Sequence, residues 1–325
     1  MIGITAKKHG QPSIRPQSCQ RDNHAVCTFD ELAHGTPVRS RPTGRECTGC
    51  VERECYHRGL DANLHADQRT PAGMSDTWGL PPARTAPALP GDEVHVWLTS
   101  LDSCARNVAS FEQFLEPEER ARAARYRFSR DRDRFVARRG LLRQVLASYL
   151  DEDPTTLRFA SNAHGKPRLD TQRDGESLTF NLSDSHGLAV YAITRHRGVG
   201  IDLERIDPAT NSEDIAERFF SPREVEGLRA LPKRVQPSAF FTCWTRKEAY
   251  LKARGEGLSL PLDRFEVSVG PDEPAALLWT TLGPRETSRW RLTGLPSIPG
   301  YAAALCVEGY DWQLRCWRRL PAQSE

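Results

Sequence analysis

One order of elements recurs in this chain of 325 residues and limits what it can build: a helix-length run followed by short strands, twice. The later run is Gln236–Arg254. It is closed by Gly255 and Gly257, a residue type that readily takes the left-handed conformation at helix ends. The earlier run extends from Arg120 to Leu150, with apolar residues at Phe135, Leu141, Leu142, Val145, Leu146, Tyr149 and Leu150. Spacings of three and four make it amphipathic. Glu116-Pro-Glu-Glu119 places acids in its first turn, where the helix dipole favours them, and Asp153-Pro154 stops it. Glu93–Ser100 alternates as a half-buried strand. Further strands are expected at Leu178–Leu182, Gly187–Thr194 and Val199–Glu204, with a turn at His164-Gly165-Lys166-Pro167. In the second half, short helices at Asp214–Phe220 and Pro222–Leu231 precede the long one. Strands at Phe265–Val269, Ser288–Thr293, Tyr301–Val307 and Trp312–Trp317 follow it. The pattern predicts an α+β fold of two similar fused lobes, 91–197 and 198–325, each a helix packed on a small antiparallel sheet, related by a pseudo-twofold.

Residues 1–90 show neither period and are rich in Pro, Gly, Arg, His and Cys, so a low-order leader is expected there. Cys47, Cys50, Cys55 and His57 are a metal-like cluster, but no second ligand pair follows at zinc-finger spacing, and incidental cysteines are the reading. The sequence has only 2 methionines, Met1 and Met74. Met74 stands just before the first good strand, hence the expectation that translation starts there and that 1–73 is an over-extended gene model. Lys+Arg 45 against Asp+Glu 43 gives a net charge of +2, which argues against a nucleic-acid coat. No segment approaches the roughly 18 apolar residues of a membrane span. No apolar signal region opens the chain. Cys104, Cys243, Cys306 and Cys316 lie in apolar segments and read as buried thiols of a reducing compartment, so the expected location is the cytoplasm.

Three carboxylates carry the chemistry. Asp202 and Glu204 sit at i and i+2 on a strand, so they share one face while Leu203 packs behind. Two hard oxygens side by side suit Mg²⁺, which also holds substrate phosphate. Glu248 and Lys252 are one helical turn apart on one face, and Trp244 lies on the same stripe. Taken singly, the first pair reads as a solvated strand edge and the second as a surface ion pair.

Val199-Gly-Ile-Asp202-Leu-Glu204, followed by Trp244-Thr-Arg-Lys-Glu248-Ala-Tyr-Leu-Lys252-Ala-Arg-Gly-Glu-Gly-Leu-Ser-Leu-Pro-Leu262, closely resembles the 4′-phosphopantetheinyl transferases of the two-lobed Sfp type. The resemblance runs from about residue 94 to 318 and includes Arg130-Asp-Arg-Asp-Arg134-Phe with Arg138 and Arg139, Gly165-Lys-Pro167, and Phe180-Asn-Leu-Ser183-Asp-Ser185. It implies an enzyme that moves the phosphopantetheine arm of coenzyme A (CoA) onto a serine of an acyl or peptidyl carrier protein. The serine oxygen attacks the β-phosphorus and 3′,5′-ADP leaves. It implies Mg²⁺ held by Asp202, Glu204 and Glu248, with Lys252 beside the phosphates; Glu248 is also the candidate to accept the serine proton, a role that competes with metal binding because a tightly bound carboxylate is a poor base. For CoA it implies Arg122, Arg134, Lys166, Pro167 and the strand positions Ser183, Asp184 and Ser185, with Lys247 as a secondary phosphate contact; most of the other arginines of 120–143 read as a solvated helix face. The expected partners are CoA and the carrier protein, with no nucleic acid and no membrane, and the expected state is a monomer.

The chain departs from that pattern at Asp184, where the family usually has a histidine that contacts a CoA phosphate. An aspartate repels phosphate unless it is neutralised or turned away. The expectation is weaker CoA binding, or a shifted metal arrangement, rather than loss of activity, with His186 compensating and Asp184→His lowering KM. The alternative is a CoA- or carrier-binding protein with impaired catalysis. For carrier docking the candidates are Arg254, Leu258, Leu260 and the turn Phe219-Phe220-Ser-Pro-Arg223.

Overall fold

The computed structural model describes residues 77–80, 88–170 and 178–319. The cluster Cys47, Cys50, Cys55 and His57, and the start proposed at Met74, lie outside them.

The chain opens with β1 (Glu93–Ser100), the short helices α1 (Leu101–Ala105) and α2 (Val108–Glu112), then α3 (Pro117–Ala123) and α4 (Ser129–Leu150). The expected single helix from Arg120 is therefore two. A capping box between Glu116 and Glu119 starts α3. The chain leaves the helical path after Ala123, and Phe128 at the head of α4 is extended. Asp151, left-handed at φ 53°, ends α4 before the expected Asp153-Pro154. Next come β2 (Phe159–Ser161), β3 (Pro167–Leu169), β4 (Leu178–Ser185), β5 (Leu188–Arg195) and β6 (Val199–Arg205). The β4–β5 hairpin turns on His186 and Gly187, both at positive φ, the geometry that two-residue hairpin turns require.

The second half has α5 (Ser212–Phe219), α6 (Pro222–Ala230), α7 (Gln236–Arg254), β7 (Phe265–Val267), β8 (Leu277–Thr280), α8 (Pro284–Arg289), β9 (Trp290–Gly294), β10 (Tyr301–Glu308) and β11 (Gln313–Arg318). Helix α7 and its left-handed cap Gly255 fall where the sequence puts them. Strand β8 was not expected, because Leu278 and Trp279 face solvent and break the apolar alternation.

Four layers result. The first main sheet has the order β11-β1-β5-β4 and the second β6-β10-β9, while β2-β3 and β7-β8 form separate two-stranded pairs. Alternate residues of β1, β5 and β6 (Val94, Val96, Val190, Ala192, Val199, Ile201, Leu203) meet between the sheets in one apolar cluster with Leu305, Val307 and Leu314. The opposite face of the first sheet, through Trp97, Phe180, Tyr191 and Ile193, packs under α4. The opposite face of the second, through Ala302, Ala304 and Cys306, packs under α7. The expected purely antiparallel sheets are corrected at one point: β11 returns from the end of the chain to pair parallel with β1, making the first sheet mixed. The leader also contributes, since Gly79 bridges to Trp317 and Trp78 donates to the Pro296 carbonyl at 3.1 Å. Among the described residues no helix is long and apolar enough to cross a membrane.

Under α4, Tyr149 ties helix to sheet through His95, a fully buried imidazole. His95 Nε2 lies 2.8 Å from Glu93, Nδ1 lies 2.8 Å from the Tyr149 hydroxyl, and Trp97 donates to that hydroxyl at 2.9 Å. Burial pushes the His95 pKa below its ordinary value, outweighing the favourable Glu93 carboxylate. Between that lowered value and the ordinary one, near 6.5, the unfolded chain binds a proton that the folded one refuses. Stability from His95 is thus present above about pH 6.5 and lost as pH falls. In thermal melts, the Tm difference between wild type and His95→Asn should narrow as pH drops from about 7 to about 5; a constant difference would contradict this account.

Candidate active site

The site forms where α7 lies on β6. Along β6, Val199, Ile201 and Leu203 point to the apolar layer, so Gly200, Asp202 and Glu204 share the helix-facing side. A Cβ on Gly200 would stand 2.2 Å from both the Ala249 carbonyl oxygen and the Ala253 nitrogen. Helix backbone and strand backbone are therefore in direct contact, a close approach that only glycine permits. The residues preceding those two alanines, Glu248 and Lys252, are thereby brought beside Asp202. The Lys252 ammonium sits 2.6 Å from Asp202 Oδ1.

Strand β4 completes the seam. Its polar residues at alternate positions reach across to β6. Asn181 accepts the Ile201 N–H at 2.8 Å, Ser183 donates to Asp202 at 2.9 Å, and Ser185 donates to Glu204 at 2.9 Å. Lys252 also donates to Ser183 Oγ at 3.1 Å. Ser183 and Ser185, expected as hydroxyls for CoA, thus hold the two acids in place.

The electrostatics follow from burial. Burial first, then the neighbouring Asp202 charge, pushes the Glu248 carboxyl up to about 8, with Lys252 opposing. Burial would lower Lys252, but the carboxylates of Asp202 and Glu248 outweigh it and hold the ammonium above the ordinary lysine value. Both oxygens of Glu248 and Oδ2 of Asp202 are buried with no hydrogen-bond partner. Unpartnered buried carboxyl oxygens of this kind are costly, and a cation arriving beside them would favour their ionised form. Their chemistry, hard carboxylate oxygen, fits Mg²⁺. Among the described residues, no three His, Cys, Asp or Glu side chains are gathered as a ready-made metal centre. Lys252 pairs with Asp202, and Ser185 engages Glu204.

Two cavities adjoin the seam. One, about 140 Å³, is lined by Lys166, Pro167, Ser183, Asp184 and Lys252 among others. The second, about 240 Å³, is lined by Arg134, Ser185, His186 and Glu204. Lys166 donates to the carbonyls of Val199 at 2.9 Å and Ala253 at 3.2 Å, so it ties the 162–166 turn to both β6 and α7. Burial pushes its pKa down to about 8. Arg134 forms a fork on Asp102, at 2.6 and 2.8 Å. Arg122 lies over the Phe135 ring and lines neither cavity.

Three expectations need correction. Lys247 is fully buried and donates to the carbonyls of Leu262 at 2.8 Å and Phe265 at 2.7 Å, and it pairs with Glu224 at 2.8 Å. It pins α7 to α6 and β7 and reaches neither cavity. Arg139 and Arg143 are not surface cations. Both pair with Glu119, and Arg143, wholly buried, also donates to the Leu157 carbonyl at 2.9 Å. Asp184 does not face the cavities as a bare charge, because Arg138 donates to its carboxylate. Of the docking candidates, Phe220 is core and stacks on Phe240, and Leu260 is buried as well. Arg254 is held by Glu256 and Glu286.

Sequence reasoning overlooked Gly200 and Asn181. A glycine inside a strand is itself a sign of close backbone approach. Asn181 begins the i, i+2, i+4 polar series that Ser183 and Ser185 continue. Gly200→Ala should cost about 1–3 kcal/mol in urea unfolding, because helix and strand backbones must part. Lys247→Ala should cost about 3–5 kcal/mol, since it strands the Glu224 carboxylate in the core. A change below about 0.5 kcal/mol in either would contradict the packing described.

A family model described as the 4′-phosphopantetheinyl transferase superfamily matches residues 198–306, and one described as 4′-phosphopantetheinyl transferase, N-terminal, matches 102–196. The 4′-phosphopantetheinyl transferase HetI of Nostoc sp. is 39% identical over 245 residues, covering 75% of this chain and 99% of that protein. The 4′-phosphopantetheinyl transferase Sfp of Bacillus subtilis is 32% identical over 202 residues, covering 62% and 86%. Both halves of the structure on either side of the seam are matched, and with them the strand and the helix that meet at Gly200: the chain belongs to the 4′-phosphopantetheinyl transferases, of the Sfp type.

Proposed function

We propose that the transfer of the phosphopantetheine arm of CoA to a carrier-protein serine takes place at the seam of α7, β6 and β4, with Asp202, Glu204 and Glu248 holding Mg²⁺. The observation that carries this reading is the Glu248 carboxylate, buried and unpartnered beside Asp202 and one turn from Lys252. When bound, Mg²⁺ supplies positive charge to the pyrophosphate of CoA as charge builds on the bridging and leaving oxygens. The chain's own residues do the rest by positioning. Lys252 presents an ammonium at the seam, where the 3′,5′-ADP phosphates depart. As the serine oxygen attacks the β-phosphorus, its proton passes to Glu248, directly or through water, only where that carboxylate is not tightly bound to the cation, since a tightly bound carboxylate is a poor base. Lys166 and Pro167 line the first cavity, and Arg134 lines the second with its fork anchored on Asp102. The adenylate half of CoA lies along these cavities. The reading includes two pseudo-twofold-related lobes, 91–197 and 198–325, working as a monomer, with the helix-on-sheet pairs α4 and α7 as counterparts. The Arg138–Asp184 ion pair supports this reading over impaired catalysis, because the carboxylate is not left as a bare charge.

The test is mass spectrometry of an apo carrier protein incubated with the full-length chain, CoA and Mg²⁺. The carrier should gain one phosphopantetheine, and Glu248→Ala should slow the gain by about 10²-fold or more. Chelation of divalent cations should stop it. A Glu248→Ala protein as active as wild type would overturn the assignment.

A further inference from the structure

The two cavities at the seam share a wall, and Arg138 and Asp184 line both. Arg138 projects from α4. Its backbone carbonyl is fixed by the Tyr191 hydroxyl at 3.0 Å, and its guanidinium lies 5.5 Å from the centre of the Phe135 ring. One arm of the fork donates to Asp184. The Nε–H, in contrast, is buried and has no partner. A guanidinium has five donors in a rigid plane that suits a phosphate. An unmet buried donor is a cost that an arriving anion removes. Asp184 on its own would repel that anion across the shared wall. Paired with Arg138, it instead presents a guanidinium beside the carboxylate in the wall of both cavities.

We propose that Arg138 is the residue that binds a CoA phosphate where the two cavities meet, and that Asp184 is its positioning partner. This rests on the seam being the CoA site. It reverses the expectation drawn from sequence, that a histidine at 184 improves CoA binding. In this chain a histidine there removes the acceptor that orients Arg138 and sets a second donor against it.

The experiment measures kcat and KM for CoA, by carrier modification, in Arg138→Ala, Arg138→Lys, Asp184→His and the double variant Asp184→His/Arg138→Ala. Arg138→Ala should raise KM by about tenfold or more with a smaller change in kcat, the size expected for a lost charge-assisted hydrogen bond. Arg138→Lys keeps the charge without the fork and should fall between. Asp184→His should also raise KM. The double variant should recover to within about threefold of wild type, because the histidine then faces the phosphate alone. Far-UV circular dichroism melts identify any variant that has not folded, and Arg138→Lys keeps the test open if Arg138→Ala is among them. An unchanged KM in Arg138→Ala, a lowered KM in Asp184→His, or simply additive effects in the double variant would overturn the proposal. A wild-type protein that leaves the carrier unmodified would instead overturn the reading of the seam itself.

Discussion

The direct contact of α7 with β6 at Gly200 decides where Glu248 and Lys252 stand relative to Asp202. Ala249 and Ala253 are the smallest residues that keep a helix strong, and glycine is the one residue that leaves no Cβ between strand and helix. Without that approach, Glu248 and Lys252 would stand a side chain's thickness further from Asp202. The same contact buries the site residues, and burial sets their electrostatics. In bulk water a Lys252–Asp202 pair would contribute little. In the seam, burial raises both the cost of an unmatched charge and the strength of a matched one.

Helix α7 carries two lysines with opposite duties, and their spacing explains the division. Lys247 and Lys252 are five residues apart, roughly 140° around the helix. Lys247 faces the core, where carbonyls of Leu262 and Phe265 and the Glu224 carboxylate take up its charge. Lys252 faces the seam, where its acceptors are Asp202 and Ser183, and Lys252 and Ser183 border a cavity. One lysine fixes the helix's rotation and the other is aimed by it. Glu119 plays a similar structural part on α3, gathering Arg139 and Arg143 so that α3 and the body of α4 are held together.

Local signals were legible in sequence where one periodicity and one cap sufficed. Helix α7, its Gly255 cap and strand β1 fall at the expected residues. The shared face of Asp202 and Glu204, with Leu203 behind, followed from strand alternation alone. What sequence did not carry were pairings between distant positions. Nothing local to Arg138 marks it as the partner of Asp184, 46 residues away, and nothing local to Lys247 distinguishes a buried ammonium from an exposed one. The arginines of α4 read as a solvated face because charge normally is solvated, yet Glu119 draws two of them inward. Strand β11 looked like one more strand of the second half. Its partner, β1, lies more than two hundred residues earlier, and pairing over that distance leaves no periodic trace.

That last pairing matters for the site. The seam draws residues from both halves: Asn181, Ser183 and Ser185 from β4, and Asp202, Glu204 and Lys252 from β6 and α7. Strands β4 and β6 meet through side chains, with Asn181 and Ser185 accepting β6 backbone N–H groups and no backbone ladder joining the two sheets there. Side-chain bonds of that kind are too few to keep two sheets in register unaided. The register is instead held from the far edge, where β11 leaves the second half to run beside β1, and from between, where apolar residues of both sheets share one core. Fixing the sheets at edge and centre lets a handful of polar residues set the positions of the acids at the seam. It also makes the seam the place where β4 and β6 are joined by side chains and not by a backbone ladder.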